Sequence, residues 1–193
     1  MLQLKLKMTG KSALLLSCDR LADPTDELTI KHKELTLKRT KTMQDHIDIA
    51  QSQWRGLLYW DDELGVYMPT QNIRAALIRG GTLNKLGMDL KRGTMMPDEK
   101  TPIDYGKKLT IAQLWEQNYI DRRSVVVSRA RVLAFRPKFL NWSITFDLMY
   151  DEYTLDENKI MQSFKNAGDY VGIGGFRPEK GGSFGRFDIN KVA

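Results

Sequence analysis

The stretch Trp142-Ser-Ile-Thr-Phe-Asp-Leu-Met149 decides how the chain is expected to fold, because apolar and polar residues alternate along it. A repeat of two residues places every second side chain on one face of a strand, as a half-buried sheet requires. A helix is predicted next, since Thr154 and Glu157 have the spacing of a capping box and Gly168 is placed to end the helix. Residues 184–189 alternate again and predict a last strand.

The preceding part of the chain supplies elements of the same kinds. Leucine and methionine alternate with polar residues over residues 2–8 and predict a first strand. A helix is predicted over residues 43–58, where apolar residues recur at helical spacing. Residues 125–135 predict a strand that forms a hairpin with the strand at 142–149. Residues 136–138 are expected to end the first of these strands.

Three further segments lie between these elements. Residues 30–41 are predicted to form an extended basic arm. A short helix is expected from Thr70, with Gly80 and Gly81 as its end. Residues 83–123 have the least regular pattern and predict an irregular insertion, apart from a short helix around residues 111–117.

Without the insertions, the order of elements is strand, helix, strand, strand, helix, strand. This order is typical of ferredoxin-like and RRM-like α+β folds, in which a βαββαβ chain forms an antiparallel sheet with both helices on one face. We therefore expect one domain over residues 1–193. Such folds carry many activities, so function has to be argued from particular residues.

Composition narrows the classes of function. The 193 residues are 41% hydrophobic and 28% charged, which excludes a disordered chain. Thirty Lys plus Arg against twenty-four Asp plus Glu give a formal charge of +6, which favours an acidic partner such as nucleic acid. The single cysteine, Cys18, indicates a reducing compartment, and no apolar run is long enough for a bilayer. A protein of the bacterial or phage-infected cytoplasm, without a membrane partner, is expected.

The glycine-rich loop Val171-Gly-Ile-Gly-Gly-Phe-Arg-Pro-Glu-Lys-Gly-Gly-Ser-Phe-Gly-Arg-Phe-Asp-Ile189 is the first candidate binding site. Glycines let a backbone approach a phosphate closely, and arginine or lysine supplies charge-assisted hydrogen bonds. A glycine-rich connection needed only for chain geometry explains the composition equally well. The candidate residues of this loop are Gly172, Gly174, Gly175, Arg177, Lys180, Gly181, Gly182 and Arg186.

Two basic segments are the other candidates for nucleic-acid binding. The arm contributes Lys31, Lys33 and Arg39, and the short helix contributes Arg74 and Arg79. Basic segments of this kind bind phosphates in a salt-dependent way. A charged edge strand would account for the arm, and a solvated helix face would account for the two arginines.

Two segments resemble conserved parts of the RAMP superfamily, which includes the backbone subunits of CRISPR effector complexes. Residues 66–79, Val-Tyr-Met-Pro-Thr-Gln-Asn-Ile-Arg-Ala-Ala-Leu-Ile-Arg, resemble its proline, small polar and arginine-rich helix segment. Residues 171–189 resemble its C-terminal glycine-rich loop. The resemblance implies a subunit that binds single-stranded nucleic acid and lines up along it, as a homo-oligomer or with related backbone subunits.

The chain also departs from that pattern. Thr70-Gln-Asn72 follows the proline where the superfamily has two serines, and Ala75 and Ala76 stand where a glycine is expected in the helix. These departures favour a divergent, phage-encoded relative over a working CRISPR subunit.

We expect a protein that binds single-stranded RNA or DNA through its phosphates, with no cofactor, metal or catalytic residue. Two histidines and one cysteine cannot assemble a His/Cys zinc cluster. Two alternatives stay open. The first is a metal-independent endoribonuclease of the same superfamily, acting through a loop carboxylate among Asp19, Asp23 and Asp26 or through a histidine. The second is a structural or inhibitory phage protein that mimics a backbone subunit.

Overall fold

The structure is a computed structural model that describes residues 1–127 and 129–192. These residues form six α-helices: α1 (Glu27–Leu37), α2 (Met43–Gly56), α3 (Thr70–Thr82), α4 (Gly87–Gly93), α5 (Ile111–Glu116) and α6 (Glu157–Asn166). They also form ten strands: β1 (Leu2–Gly10), β2 (Leu14–Leu15), β3 (Trp60–Asp61), β4 (Gly65–Pro69), β5 (Thr94–Met95), β6 (Lys100–Asp104), β7 (Ile120–Val127), β8 (Ala130–Phe139), β9 (Ser143–Tyr150) and β10 (Phe187–Lys191).

The chain divides into two compact units. The first comprises Met1–Leu14, Trp60–Lys108 and Phe139–Ala193, and the second comprises Leu15–Tyr59 and Leu109–Lys138. A seven-stranded sheet of order β10-β1-β9-β6-β4-β3, with β5 paired to β9, belongs to the first unit. Strands β2, β8 and β7 form a separate three-stranded sheet. The protein is therefore α+β, and its main sheet is mostly antiparallel.

The core of the first unit follows from the alternation along β1 and β9. The register places Leu6 opposite Phe146 and Met8 opposite Ile144, and all four side chains are buried. The ring of Phe164 on α6 lies 5.7 Å from the ring of Phe146. A helix thus covers the apolar face of the sheet, which is how a sheet with one buried face is stabilised.

Gly80 allows α3 and α6 to pack closely. A Cβ atom at this position would lie 2.2 Å from the carbonyl oxygen of Ser163 and 2.6 Å from the backbone nitrogen of Ala167. Both obstacles are backbone atoms, so neither can rotate away. Gly80 and Gly81 were predicted to end the helix, but α3 continues to Thr82. Glycine is needed at position 80 for the close contact between α3 and α6. This requirement outweighs the low helix propensity of glycine.

We expect G80A to lower the free energy of unfolding by about 1–3 kcal/mol, because the helices must separate to admit the methyl group. In an unpacked helix the same substitution would be stabilising, by about 1 kcal/mol at most. Chemical denaturation measures the change. A75S, on an exposed position of the same helix, is the control and should stay within about 0.5 kcal/mol of the wild type. A variant G80A as stable as the wild type would contradict the close packing.

The second unit is built around α1 and α2. The Asp26 carboxylate accepts hydrogen bonds from the backbone of Leu28 at 2.9 Å and Thr29 at 3.3 Å, which begins α1. The predicted start of α2 is confirmed: Thr42 and Asp45 form a reciprocal capping box. Lys38, 2.5 Å from Asp45, and the capping hydrogen bonds hold the pKa of that carboxyl well below its usual range.

Two predictions of irregular or extended structure are wrong. Residues 30–37 of the predicted arm belong to α1, because the Asp26 cap and the hydrogen bond between His32 Nδ1 and Ser52 Oγ (2.7 Å) support a helix. Residues 83–123 contain α4, β5, β6, α5 and the start of β7. The short helix expected around residues 111–117 is confirmed as α5.

The predicted hairpin between residues 125–135 and 142–149 is also wrong. Val125 and Val132 lie on two different strands, β7 and β8, and are paired with each other. Strand β9 pairs instead with β1, β5 and β6. Residues 136–138 do not interrupt the strand but lie inside β8. Alternation identified the strands, but the partners of a strand depend on contacts distant in sequence.

Smaller differences concern the ends of elements. The predicted helix over residues 43–58 is confirmed as α2, but it belongs to the second unit. The N-cap of α6 is Asp156 and not Thr154, since the Asp156 carboxylate accepts from the backbone of Lys159. The last strand spans residues 187–191, so Arg186 precedes it.

Among the residues that the structure describes, no helix has the length and apolar character needed to cross a bilayer.

Candidate nucleic-acid interface

A cleft of about 900 Å³ opens in the first unit at the N-terminal end of α3. Its walls come from β4, the first turn of α3, the end of α4 and the chain between β5 and β6. Four cationic side chains line it, Arg74, Lys91, Arg92 and Lys100, against two carboxylates, Asp98 and Glu99. The lining is therefore net positive, in a concave site of the size that small ligands occupy.

The first turn of α3 faces this cleft without a cap. Pro69 occupies the N-cap position, and no side chain accepts a hydrogen bond there. Thr70 is used otherwise, since its hydroxyl contacts the carbonyl oxygens of Asp98 and Glu99 and its N–H donates to Glu99. Gln71, the next residue of this turn, lines the cleft, so the positive end of the helix dipole lies beside it, and such helix ends favour anions.

Arg74 lies one turn further along α3 and is half-buried. Its guanidinium donates from Nε to the carbonyl oxygen of Thr94 at 3.2 Å and from Nη2 to the carbonyl oxygen of Lys91. In the described part of the chain, these partners are carbonyl groups and no carboxylate pairs with Arg74. Its orientation is fixed while its positive charge is not cancelled, and guanidinium N–H groups remain for a second acceptor.

The rim of the cleft differs from one side to the other. Lys91 and Arg92 are exposed in the last turn of α4. Lys100 instead pairs with Asp61 at 2.6 Å and lies 5.2 Å from the centre of the Tyr67 ring. This ammonium group and two backbone hydrogen bonds lower the pKa of Asp61 to about 2. Among the described residues, Lys91 and Arg92 therefore have no ion-pair partner, whereas Lys100 is held in a structural pair.

The hairpin of β7 and β8 forms a second positive surface, in the second unit. Residues 120–139 contain six cations and one carboxylate: Arg122, Arg123, Arg129, Arg131, Arg136 and Lys138 against Asp121. Only one of these pairs closely within the described residues, Arg123 with Asp121 at 2.6 Å. No residue of this hairpin was proposed from the sequence, because its valines suggested a core strand.

One face of the hairpin combines charge with apolar side chains. Val126 lies opposite Arg131, and Leu133 lies opposite Ser124 on the same face, with Arg122 two positions further along. Val126 is 67% exposed and Leu133 is 57% exposed. Single-strand-binding surfaces combine positive charge with aromatic side chains on which bases stack, and on this face exposed aliphatic side chains stand beside the arginines.

The predicted glycine loop has less free charge than the sequence suggests. Arg177 donates from Nε and Nη2 to Glu179 at 3.1 and 2.7 Å and from Nη1 to the carbonyl oxygen of Gly174 at 3.2 Å. Arg79 pairs with the other oxygen of Glu179 at 3.0 Å. Arg186 donates to the backbone carbonyl of Asp169, and Lys180 is exposed. Glu179 thus pairs with both Arg79 and Arg177 and offsets one of their two positive charges.

Several loop glycines have a structural role. Gly172, Gly174 and Gly181 have φ angles of +73°, +79° and +74°, a region that side chains disfavour. A Cβ on Gly182 would lie 1.7 Å from the carbonyl oxygen of Phe176. Chain geometry therefore requires glycine at these positions. Gly175 lies in the turn of residues 175–176.

The remaining predicted residues do not line the cleft. Lys31 and Lys33 are exposed on α1, and Arg39 is exposed in the connection to α2. The structure therefore brings Arg74 together with Lys91, Arg92 and Lys100, which the sequence did not indicate. It places the arm in the other unit.

The loop carboxylates considered for RNA cleavage are engaged locally. Asp26 caps α1 and pairs with Arg20 at 2.8 Å, which keeps the pKa of Asp26 below its usual value. Asp23 accepts hydrogen bonds from the backbone and hydroxyl of Thr25. Within the described ranges, no group of three His, Cys, Asp or Glu side chains could hold a metal ion. These contacts are typical of turns.

In comparisons with known proteins, no family model matches the chain, and no curated protein matches it significantly.

Proposed function

We propose that this protein binds single-stranded nucleic acid through its phosphates, with little reading of base sequence. The observation that carries the proposal is the cleft at α3, where an uncapped helix end meets the fixed and uncompensated charge of Arg74. Helix N-termini and guanidinium groups both bind phosphates, the first through backbone N–H groups and the second through paired N–H donors. Lys91 and Arg92 on the rim would contact neighbouring phosphates of the same strand.

The hairpin supports the same proposal from the second unit. Arg122 and Arg131 would contact phosphates, while Val126 and Leu133 between them would contact bases. In a duplex the bases are stacked and paired, so exposed aliphatic side chains on a hairpin have little to contact. Unpaired bases offer their apolar faces, and for this reason we infer a single strand as the ligand.

We further propose that the first unit has a ferredoxin-like frame, as in the RAMP superfamily. The order β10-β1-β9-β6 supports this, since α3 precedes β6 and α6 lies between β9 and β10. Helix α6 connects β9 and β10, which have β1 between them, the arrangement called a split βαβ. Strands β1 and β6 likewise have β9 between them, and α3 lies in the long connection from β1 to β6, after β4. In this proposal the glycine loop has a supporting role, because Glu179 engages its arginine. We propose the cytoplasm as the location, in keeping with the single Cys18.

A binding titration tests the function. Labelled single-stranded RNA, single-stranded DNA and duplex DNA of equal length are added in turn, and binding is followed by fluorescence anisotropy. We expect the protein to bind single strands more tightly than duplex and to lose affinity steeply as salt rises, since displaced counterions contribute to binding. The RNA and DNA arms decide between the two ligands. Absence of binding to all three at low salt would refute the proposal.

A further inference from the structure

A groove of about 550 Å³ lies in the first unit between helix α6 and the edge strand β10. On the helix it is lined by four residues whose spacing places them on one side of α6: Asn158, Met161, Gln162 and Lys165. On the strand it is lined by three consecutive residues, 188–190. We call this site the edge groove. It shares no lining residue with the cleft at α3.

The main chain of β10 has an open edge along this groove. Strand β10 stands last in the order of the main sheet and, among the described residues, pairs only with β1. Val192 donates its N–H to the carbonyl oxygen of Lys5, so the register gives residues 188 and 190 the hydrogen bonds to β1. The N–H and C=O groups of Ile189 and Lys191 therefore point to the other side, away from the sheet.

Contacts at both ends limit how much of this edge is free. A Cβ atom on Gly168 would lie 2.0 Å from the carbonyl oxygen of Phe187, so the helical turn after α6 covers that carbonyl group. At the other end, the ammonium group of Lys191 pairs with Glu157 at 2.8 Å and joins the strand to the start of α6. The helix therefore runs in the opposite direction to β10, and the free edge has room for a short segment only.

The charges around the edge groove are paired, with one exception. Four carboxylates each lie within 3.4 Å of a lysine nitrogen: Asp156 with Lys159, Glu157 with Lys191, and both Asp169 and Asp188 with Lys11. Arg186 supplies a second cation beside the shared lysine, since its guanidinium donates to the carbonyl oxygen of Asp169. In the described part of the chain no carboxylate pairs with Lys165, which is exposed. A ligand in the groove would therefore meet one uncompensated positive charge.

We propose that the edge groove binds an extended segment of a different protein, which adds to β10 as a further strand. Ile189 and Lys191 offer four main-chain groups to such a segment, and main-chain hydrogen bonds of this kind supply the affinity in strand addition. A nucleic-acid backbone has no N–H groups to pair with the carbonyl groups of the strand. The proposal therefore goes beyond the proposed function and does not rest on it.

The lining of the groove specifies the side chains of the segment. Every second side chain of an added strand would point toward α6, where Met161 and Ile189 are half-buried and Lys165 is charged. Met161 and Lys165 are about 6 Å apart along the helix axis, and two residues of a strand span about 6.8 Å. A segment with an apolar residue and a carboxylate two positions apart therefore fits both. The contact is small, so we expect a Kd between about 10 µM and 1 mM.

Peptide selection followed by amide exchange tests the proposal. A display library of linear seven-residue peptides is selected on the immobilised full chain, and the selected peptides are synthesised with acetylated and amidated ends. NMR then follows the backbone amides of the protein. Without peptide, the amides of Ile189 and Lys191 should exchange with solvent faster than those of Asp188 and Asn190. Saturating peptide should slow the exchange of Ile189 and Lys191 by at least about tenfold.

Methylated peptides and two protein variants separate main-chain from side-chain recognition. Every second amide of an added strand faces β10, so methylating one alternating set of peptide nitrogens should weaken binding at least about tenfold. Methylating the other set should change it by less than about threefold. K165E should weaken binding of a peptide with a carboxylate by about fivefold. The matched control is K159E, on the same helix but outside the groove, which should stay within about twofold.

Any of four results would overturn the proposal. The first is a selection that yields no peptide with a Kd below about 1 mM. The second is binding that responds equally to methylation of either set of nitrogens. The third is protection of Ile189 and Lys191 that grows with protein concentration in the absence of peptide, which would make a second copy the occupant. The fourth is displacement of the peptide by a single-stranded oligonucleotide. Peptide binding by a protein that binds no nucleic acid would refute the proposed function alone.

Discussion

Reversing both rim charges of the cleft, in the double variant K91E/R92E, is expected to weaken binding of a single strand by at least about a hundredfold. Each charge-assisted hydrogen bond to a phosphate contributes about 1.5–3 kcal/mol, and a carboxylate in its place repels the strand. Both side chains are exposed at the end of α4, so the fold should tolerate the change. Anisotropy titration at fixed salt measures the loss.

The matched control is K159E/K165E on α6, which changes the net charge equally. Both lysines belong to the first unit but neither lines the cleft. The control should lose no more than about threefold, the size expected of a general electrostatic effect at moderate salt. Equal losses in the two variants would place the binding surface elsewhere.

Arg74 is less suitable for this test, although it is the central cation of the cleft. Its guanidinium also donates hydrogen bonds to the carbonyl groups of Lys91 and Thr94. Replacing Arg74 would therefore change the stability of the fold together with binding. Substitution of the exposed Lys91 and Arg92 instead tests binding separately from stability.

Reversing two arginines of the hairpin, in the variant R122E/R131E, is expected to reduce affinity by about tenfold to a hundredfold. Both residues lie on the hairpin face that carries Val126 and Leu133. Loss of their phosphate contacts should also free the bases from those apolar side chains. Stopped-flow or anisotropy measurements should place most of the change in a faster dissociation rate.

The control variant for the hairpin is K31E/K33E on α1. Its two lysines belong to the same unit as the hairpin, and it changes the net charge by the same amount. If the hairpin is the binding surface of this unit, R122E/R131E should lose clearly more affinity than K31E/K33E. If the α1 variant loses more, the predicted arm is the binding segment and the role given to the hairpin is wrong.

Part of the fold could be predicted because the local pattern determines it. The alternation along β1 and β9 reflects a single buried face, and the capping box at Thr42 defines the start of α2. Strand pairing could not be predicted in the same way. Val132 and Ile144 both belong to apolar alternating segments, yet they lie in different sheets, and only contacts distant in sequence decide this.

The candidate site was less predictable than the fold. Arg74 was identified because it lies on a recognisable amphipathic helix. Lys91, Arg92 and Lys100 were missed because they lie in a segment that looked irregular, and only the folded chain places them beside Arg74. The hairpin cations had a signal in the sequence, since Arg122, Arg123, Arg129 and Arg131 recur within ten residues. Conversely, the sequence could not reveal that Glu179 engages Arg177.

The most direct test of the central claim is the salt dependence of binding for the wild type and for K91E/R92E. For single strands the logarithm of the association constant falls with that of the salt concentration, with a slope of about −0.7 per phosphate contact. We expect a linear fall between about 50 and 200 mM salt and a slope shallower by roughly 1.4 in the variant, for two lost contacts. Binding that is independent of salt, or a slope that K91E/R92E leaves unchanged, would contradict the account.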